Sequence, residues 1–331
     1  MEPGPSFLPF QPTLSLPQPK LELTSPLPPI LAPADPDPLD IFELSLPTLF
    51  SQPILAHSLP STSPHFLYPH PTLPDPIKLK LPADVPAGLN RLQAQYVWPS
   101  SLLLAHLVLS GEVDLTMDDG GAGARVCELG AGTGLAGVAA AITLSRRQSE
   151  EGRGGVVVAT DWGDPSILAT LLENYMLNLP VSSTSVQHVV LPHEWGTPVS
   201  SLLSAPSLAA PKRFDTLLLA DLLYASEGHA PLLKSVRALL APRGVAYVTA
   251  GLHGGRGAVD RFVGLVREDG GMELKDRGVW VWEAGEEEWR EVQGEGEGRV
   301  WRAEVRWVGG EVAAGTSSLP PWCETWSCMR D

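Results

Sequence analysis

The sequence predicts a doubly wound α/β fold, a mostly parallel sheet covered by helices on both faces, and three observations predict it. Apolar strand-like runs alternate with helix-like segments from about residue 85 onward. Several of the runs, GVVVATD and DTLLLAD among them, show little polar alternation, as strands buried on both faces do. The first run breaks at a glycine-rich turn, VCELGAGTGLAGVAAA over residues 126–141, which joins a strand to a helix.

The elements follow in order. Many of the 33 prolines crowd the first eighty residues. Proline fixes φ and lacks an amide donor, so residues 1–62 are expected to form an extended, disordered Pro-rich arm. Within it DPLDIFELSLPTLF mixes acidic and large apolar residues, the composition of a solvated linker or of a short docking segment. A single domain is expected over residues 63–310, followed by a tail over 311–331. RLQAQYVWPSSLLLAHLVLSG reads as a turn and a helix, with Pro99 in its first turn, Trp98 or Ser100 near its cap and Gly111 at its end.

RVCELG is a strand, LAGVAAAITLSR a helix, GVVVATD a strand, and PSILATLLENYMLN a helix opened by proline. SVQHVVL and DTLLLAD continue the sheet, EGHAPLLKSVRALLA is a helix, RGVAYVTAGL a strand and AVDRFVGLVRE a helix. Two strand-like runs then follow without a helix between them, MELKDRGVWVWE and GRVWRAEVRWV, and are expected to pair as an antiparallel edge hairpin. Their acidic, glycine-rich link AGEEEWREVQGEGE is expected to be a flexible loop.

With 23 basic against 38 acidic side chains the formal charge is −15, a field that repels phosphate backbones and argues against nucleic acid as a partner. A basic protein substrate is drawn in by the same field. Cys127, Cys323 and Cys328 form neither a zinc spacing nor a disulfide framework, so no metal is expected, and a reducing compartment, the cytoplasm, is. Met1-Glu2-Pro3 opens without a basic segment and SLLLAHLVL is too short to cross a bilayer, so no membrane association is expected. The expected state is a monomer.

A strand that ends in a glycine turn and feeds a helix presents free backbone N–H groups and the positive end of a helix dipole at the carboxyl edge of the sheet. Gly130, Gly132 and Gly134 lack the β-carbons that would hold a ligand away. Gly132, Gly134 and Gly137 also spell G-x-G-x-x-G, the dinucleotide pattern. Glu128 tilts the choice, because a carboxylate two residues before Gly130 repels a pyrophosphate and attracts a cationic ligand. S-adenosyl-L-methionine carries a sulfonium and an ammonium and no phosphate. Asp161 ends the second strand, where a carboxylate accepts the ribose hydroxyls of any adenosine ligand; its alternative role is that of a turn or helix-capping acid in TDWGDP.

Four motifs stand in order: ELGAGTGL, TDWGDP, HEWG and ADLLY. Together they resemble the seven-stranded S-adenosylmethionine-dependent methyltransferases, and within them the lysine-methyltransferase-like family that modifies non-histone proteins. TDWGDPSILATLLENYMLN is similar to the TDYPDP…N…N stretch of fungal elongation-factor methyltransferases, which also carry an older nicotinamide N-methyltransferase label. The resemblance runs from about residue 90 to 310 and implies a Rossmann-like seven-stranded sheet with an antiparallel edge.

The resemblance also implies roles. In that family a D-x-x-Y tetrad follows the fourth strand beside the methyl group, and Asp221, Leu222, Leu223 and Tyr224 match it. Asp221 would accept a hydrogen bond from the incoming N–H, and Tyr224 would offer an aromatic wall to an alkylammonium, which makes both catalytic candidates. Ala220, just before the tetrad, joins the cofactor-binding set with Glu128, Gly130, Gly132, Gly134 and Asp161. Trp195 in HEWG corresponds to a family tryptophan near the adenine, Trp98 in YVWPSS to one lining the methionine end, and Trp162 stands where the fungal relatives carry tyrosine. The alternatives are packing roles for the tryptophans and a sheet-capping ring for Tyr224. Asn174 and Asn178 match the family as well but are read as helix-surface bystanders, and His229 as a solvated or capping histidine rather than a base.

The function expected is S-adenosylmethionine-dependent N-methylation of a protein lysine or N-terminal amine, with translation elongation factor 1-alpha as the family-implied target. The NPPY form of adenine- and glutamine-modifying enzymes is absent. A nicotinamide-like small-molecule acceptor and a catalytically silent cofactor-binding module are the rival readings. A deep closed acceptor pocket favours the small molecule, and an open groove favours a protein.

Overall fold

The computed structural model describes residues 65–82, 93–94, 96–115, 123–151, 155–179, 186–205, 212–252, 255–283, 288–294 and 299–308. The arm expected over residues 1–62 and the tail expected over 311–331 lie outside them.

The first described elements form a small antiparallel hairpin of β1 (Phe66–Tyr68) and β2 (Ile77–Leu79), with Phe66 opposite Leu79. Helix α1 (Pro99–Leu109) follows, capped at its start by Trp98. It stops at Gly111, whose φ of 78° lets the Glu112 N–H bond the Leu107 carbonyl at 2.9 Å and its own N–H bond the Val108 carbonyl at 3.2 Å.

The alternating core comprises β3 (Ala124–Leu129), α2 (Leu135–Glu151), β4 (Gly155–Asp161), α3 (Pro165–Asn178) and β5 (Val186–Pro192). A short α4 (Ser200–Leu203), β6 (Phe214–Ala220), α5 (His229–Leu239), β7 (Leu240–Gly251) and α6 (Gly257–Asp269) continue it. The last strands are β8 (Met272–Glu283), β9 (Glu288–Val292) and β10 (Arg299–Trp307). The main sheet has the order β5-β4-β3-β6-β7-β10-β8-β9. Pairing is parallel from β5 through β7 and antiparallel from β7 to the β9 edge.

Alternation along β3 explains the two layers. Val126 joins the core under α1 and α2 with Leu104, Ala140 and Tyr175, whereas Cys127 and Leu129 face the other core with Leu233, Val236 and Phe262. Each large side chain so buried contributes roughly 1.5–3 kcal/mol. Between β3 and β6 the order of strand addition reverses, which opens the crevice at the carboxyl ends of the strands where ligands of such sheets bind.

The doubly wound fold with its antiparallel edge matches the expectation, with three differences. The sheet has eight strands, because the link expected to be a loop contains β9, held by pairing with β8 and by Trp289, which is buried and packs edge-on against Trp282. The two final runs do pair, but β10 inserts between β7 and β8, so the outer edge belongs to β9. The β1–β2 hairpin is additional; strands three residues long among prolines leave no periodic pattern to read.

Candidate active site

The glycine turn is built as its sequence requires. Gly130, Gly132 and Gly134 have φ of 58°, 53° and 80°, a region that side chains with a β-carbon enter at a cost. The turn is also crowded. A β-carbon on Gly130 would lie 2.6 Å from Leu222 Cδ2 and 3.1 Å from Trp195 Cζ2, and one on Gly132 would lie 3.4 Å from the Ala94 carbonyl oxygen. Three segments far apart in sequence, the chain before α1, the HEWG loop and the D-L-L-Y loop, therefore converge on this turn.

Two acids organise it from below. Asp161 Oδ2 accepts the Gly132 N–H and Oδ1 the Trp162 N–H, both at 2.7 Å. Burial raises the Asp161 carboxyl above its ordinary value, and those two N–H groups work against the rise. Each carboxylate oxygen keeps a second lone pair, so the same group can hold the turn and accept ribose hydroxyls. The N-cap of α3 is Asp164, whose side chain accepts from the Ser166 and Ile167 N–H groups, which leaves Asp161 for the turn.

Glu128 is 2 % exposed and points under α2, where its Oε2 accepts the Gly137 N–H at 3.1 Å. A β-carbon on Gly137 would collide with that oxygen and with the Tyr175 hydroxyl, so this glycine is required by close approach. Burial pushes the Glu128 carboxyl up to about 8; the Gly137 N–H opposes the rise and Asp161 adds to it. Glu128, expected beside the turn as a carboxylate facing a cationic ligand, is thus a buried acid beneath it.

At the tetrad, Asp221 has a φ of 58°, unusual for a residue other than glycine. Its N–H bonds the Thr249 carbonyl at 2.8 Å and its Oδ1 accepts the Gly251 N–H at 2.8 Å, which ties the end of β6 to the end of β7. Thr249 in turn donates from Oγ1 to the Ser100 carbonyl at 2.9 Å, joining the tetrad to the first turn of α1 beside Trp98. Leu222 and Leu223 are buried, whereas Tyr224 is 38 % exposed. Ala220 is half-buried against the α1–α3 core.

The tryptophans differ. Trp195 packs between Gly130 and Gly228, each of which would place a β-carbon 3.1 Å from its ring. Its loop is held from α5: Ser235 Oγ accepts the Gly196 N–H at 2.8 Å and lies 3.0 Å from His193 Nε2. Trp98 is buried, donates from Nε1 to the Gln93 carbonyl at 3.3 Å and meets Tyr96 edge-on. Trp162 is half-buried and gives its N–H to Asp161.

Two readings are corrected. Asn174 is fully buried: it donates to the Thr133 carbonyl in the glycine turn at 2.9 Å and exchanges both hydrogen bonds with the Lys80 backbone, at 2.7 and 2.9 Å. Asn178 does the same with the Lys78 backbone at 2.8 and 2.7 Å. These asparagines clamp the β1–β2 hairpin to α3, and their four-residue spacing on a helix was the signal available for it. His229 is neither solvated nor a cap. It is wholly buried, with Nε2 3.0 Å from the Leu223 carbonyl oxygen, and its burial lowers its pKa.

The donor set fits S-adenosyl-L-methionine. The turn leaves no β-carbon between the backbone and a ligand, and two acids stand at the adjoining strand ends. Ser100 Oγ, buried in the first turn of α1, has no hydrogen-bond partner among the described residues.

Fold and site together define a doubly wound α/β domain with a glycine turn at the switch point of its sheet, the arrangement that suits an adenosine-bearing cofactor. A family model described as lysine methyltransferase matches residues 84–268, more than half of the chain. The chain belongs to the lysine methyltransferase family. It is 30% identical over 180 residues to protein N-terminal and lysine N-methyltransferase efm7 of Schizosaccharomyces pombe, covering 54% of this chain and 62% of that one. It is 29% identical over 184 residues to EEF1A lysine methyltransferase 3 of Mus musculus, covering 56% and 67%. Among solved structures, a TehB-like SAM-dependent methyltransferase from Corynebacterium glutamicum aligns with a TM-score of 0.36 at 17% identity, over 66% of this chain and 92% of that one.

Proposed function

We propose that the protein transfers a methyl group from S-adenosyl-L-methionine to a protein amine, a lysine side chain or an N-terminal amine, with translation elongation factor 1-alpha as its substrate. The family and the name of the Schizosaccharomyces pombe relative support methylation of a protein lysine or N-terminal amine, and the name of the Mus musculus relative supports elongation factor 1-alpha as the acceptor. The observation that carries the reading is the tetrad: Asp221 held at a φ of 58° beside an exposed Tyr224, at the end of the strand adjoining the glycine turn. An exposed Tyr224 favours a macromolecular acceptor over a small one in a closed pocket.

S-adenosylmethionine, when bound, supplies a methyl carbon on a sulfonium, open to in-line attack by a neutral amine. Gly130, Gly132, Gly134 and Asp161 would hold its nucleoside part, with Trp195 and Trp162 near the base and Trp98 and Ala220 toward its amino-acid part, while Glu128 would support the turn from beneath through Gly137. Lysine is protonated at neutral pH, so the site must favour its neutral form. Asp221 Oδ1 is occupied by Gly251, which leaves Oδ2 to accept from the amine N–H and aim the lone pair. Tyr224 offers its ring face to the alkylammonium before it sheds its proton to water. His229 is buried and bonded to Leu223, so it takes no part in that proton transfer. We further propose that the protein works in the cytoplasm as a monomer.

The test is transfer of tritiated methyl to purified elongation factor 1-alpha and to nicotinamide, comparing the protein with Asp221→Asn. Asparagine tolerates the left-handed backbone and can still accept from Gly251. Label on the elongation factor that falls roughly 100-fold in the variant is expected. Label on nicotinamide alone, or undiminished transfer by the variant, would overturn the proposal.

A further inference from the structure

The D-L-L-Y loop has a second anchor that its own residues do not provide. Its first residue is tied to β7 through Thr249 and Gly251. Its third is tied to α5, where His229 Nε2 stands 3.0 Å from the Leu223 carbonyl oxygen. A carbonyl only accepts, so the ring carries its proton on Nε2. Nδ1 is then a bare lone pair, buried and without a hydrogen-bond partner among the described residues, and the ring meets Phe262 edge-on at 5.7 Å.

A buried imidazole with one nitrogen unsatisfied is less stable than a leucine or phenylalanine of similar size in the same place. What the histidine adds is the bond to Leu223. The Leu223 carbonyl and the Tyr224 N–H belong to one planar peptide unit, so a donor that holds the first fixes the direction in which the chain enters Tyr224. Leu222 and Leu223 are buried while Tyr224 is exposed, so the backbone from which the Tyr224 ring departs is held on its buried side.

We propose that His229 is the positioning residue of the tetrad, acting through the Leu223–Tyr224 peptide to set the Tyr224 ring at the acceptor site. The inference rests on the reading of that tetrad as the place of methyl transfer. His229 touches neither cofactor nor acceptor in this account. Its effect on turnover is wholly through Tyr224.

Replacement series separate this from a packing role. Glutamine places its amide nitrogen where Nε2 stands, asparagine where Nδ1 stands, and phenylalanine keeps bulk without a donor. His229→Phe and His229→Asn are expected to lower kcat for the protein acceptor roughly 10- to 100-fold, with the dissociation constant of S-adenosylmethionine, measured by calorimetry, within about 2-fold of the parent. His229→Gln is expected to recover most of kcat. Nitrogen-15 spectra of the unmodified protein at neutral pH should show a neutral ring protonated at Nε2.

Equal activity of the glutamine and phenylalanine variants, or an Nδ1–H tautomer, would overturn the proposal. Loss of cofactor affinity in step with kcat would also overturn it, as the mark of a general structural role. The tetrad reading itself fails differently. It falls if Asp221→Asn is fully active, whereas the role of His229 falls if Asp221→Asn is inactive and His229→Phe is not.

Discussion

Glu128 stands two residues before Gly130 on a buried strand, so its carboxyl is dehydrated and keeps its proton up to a pH of about 8. In the unfolded chain the proton leaves near 4.5. The folded state thus binds a proton that the unfolded state has lost. Stability is full below pH 4.5 and is lost as the pH rises toward 8, at up to ~1.4 kcal/mol per pH unit. Glu128→Gln is expected to raise the melting temperature at pH 8 and to leave it unchanged at pH 4.5, as followed by circular dichroism. An equal rise at both pH values would point to packing instead of titration. Below about pH 8 the protonated acid and the amide are both uncharged, so the variant is expected to bind S-adenosylmethionine as tightly as the parent at neutral pH, as measured by calorimetry. The type and position of this acid were legible in the sequence, and its depth was not. Depth comes from α2 and α3, which close over it with Gly137 and Tyr175.

Helix α3 spans the residues expected of it, since Asp164 and Pro165 mark its start and its apolar residues keep a helical period. Its second task was hidden. Asn174 and Asn178 lie one helical turn apart, and β2 presents the backbones of Lys78 and Lys80 two residues apart, so two side-chain amides copy the hydrogen-bonding edge of a missing strand. Asn174 alone also reaches the glycine turn. Asn174→Ala is expected to cost about 2–3 kcal/mol in urea denaturation, because it strands the Lys80 and Thr133 backbone groups. It should weaken cofactor binding as well. Asn178→Ala, whose bonds to Lys78 are exposed, should cost about 1 kcal/mol or less and leave cofactor binding alone. Equal losses of affinity in the two variants would assign the effect to the shared clamp and count against the contact with the turn. Helix α5 shows the same division of labour: its apolar face was readable, whereas the contacts of His229 with Leu223 and of Ser235 with Gly196 depend on loops that only folding brings near.

Across the whole molecule the buried titratable groups oppose one another. His70, in the turn of the hairpin, lies 3.1 Å from His106 of α1, and burial, then His106 and Arg146, lower it to about 4. A depressed histidine contributes stability that is present above 6.5 and is lost as the pH falls toward 4, since the unfolded chain takes up the proton first. Burial lowers His106, His188, His193 and His229 too, and all carry the same sign. Glu128 works in the other direction up to about 8. Stability should therefore peak near pH 6.5, the histidines weakening the fold on the acid side and Glu128 on the alkaline side. Melting temperatures recorded across this range test it, and a curve that rises without a maximum through pH 8 would count against it. Among the described residues no helix is long and apolar enough to cross a membrane.

The sequence by itself determined the order of strands and helices, the glycine turn, and the acids at the ends of its strands. Those features are written in neighbouring residues, where backbone freedom, capping and apolar period act over a few positions. Only the tertiary structure decided the eighth strand, the burial of Glu128, the asparagine clamp and the anchoring of Leu223 by His229. Each of these depends on what a side chain meets once the chain has closed on itself, as when Asn174 finds a carbonyl 41 residues away, and no local pattern records such a meeting.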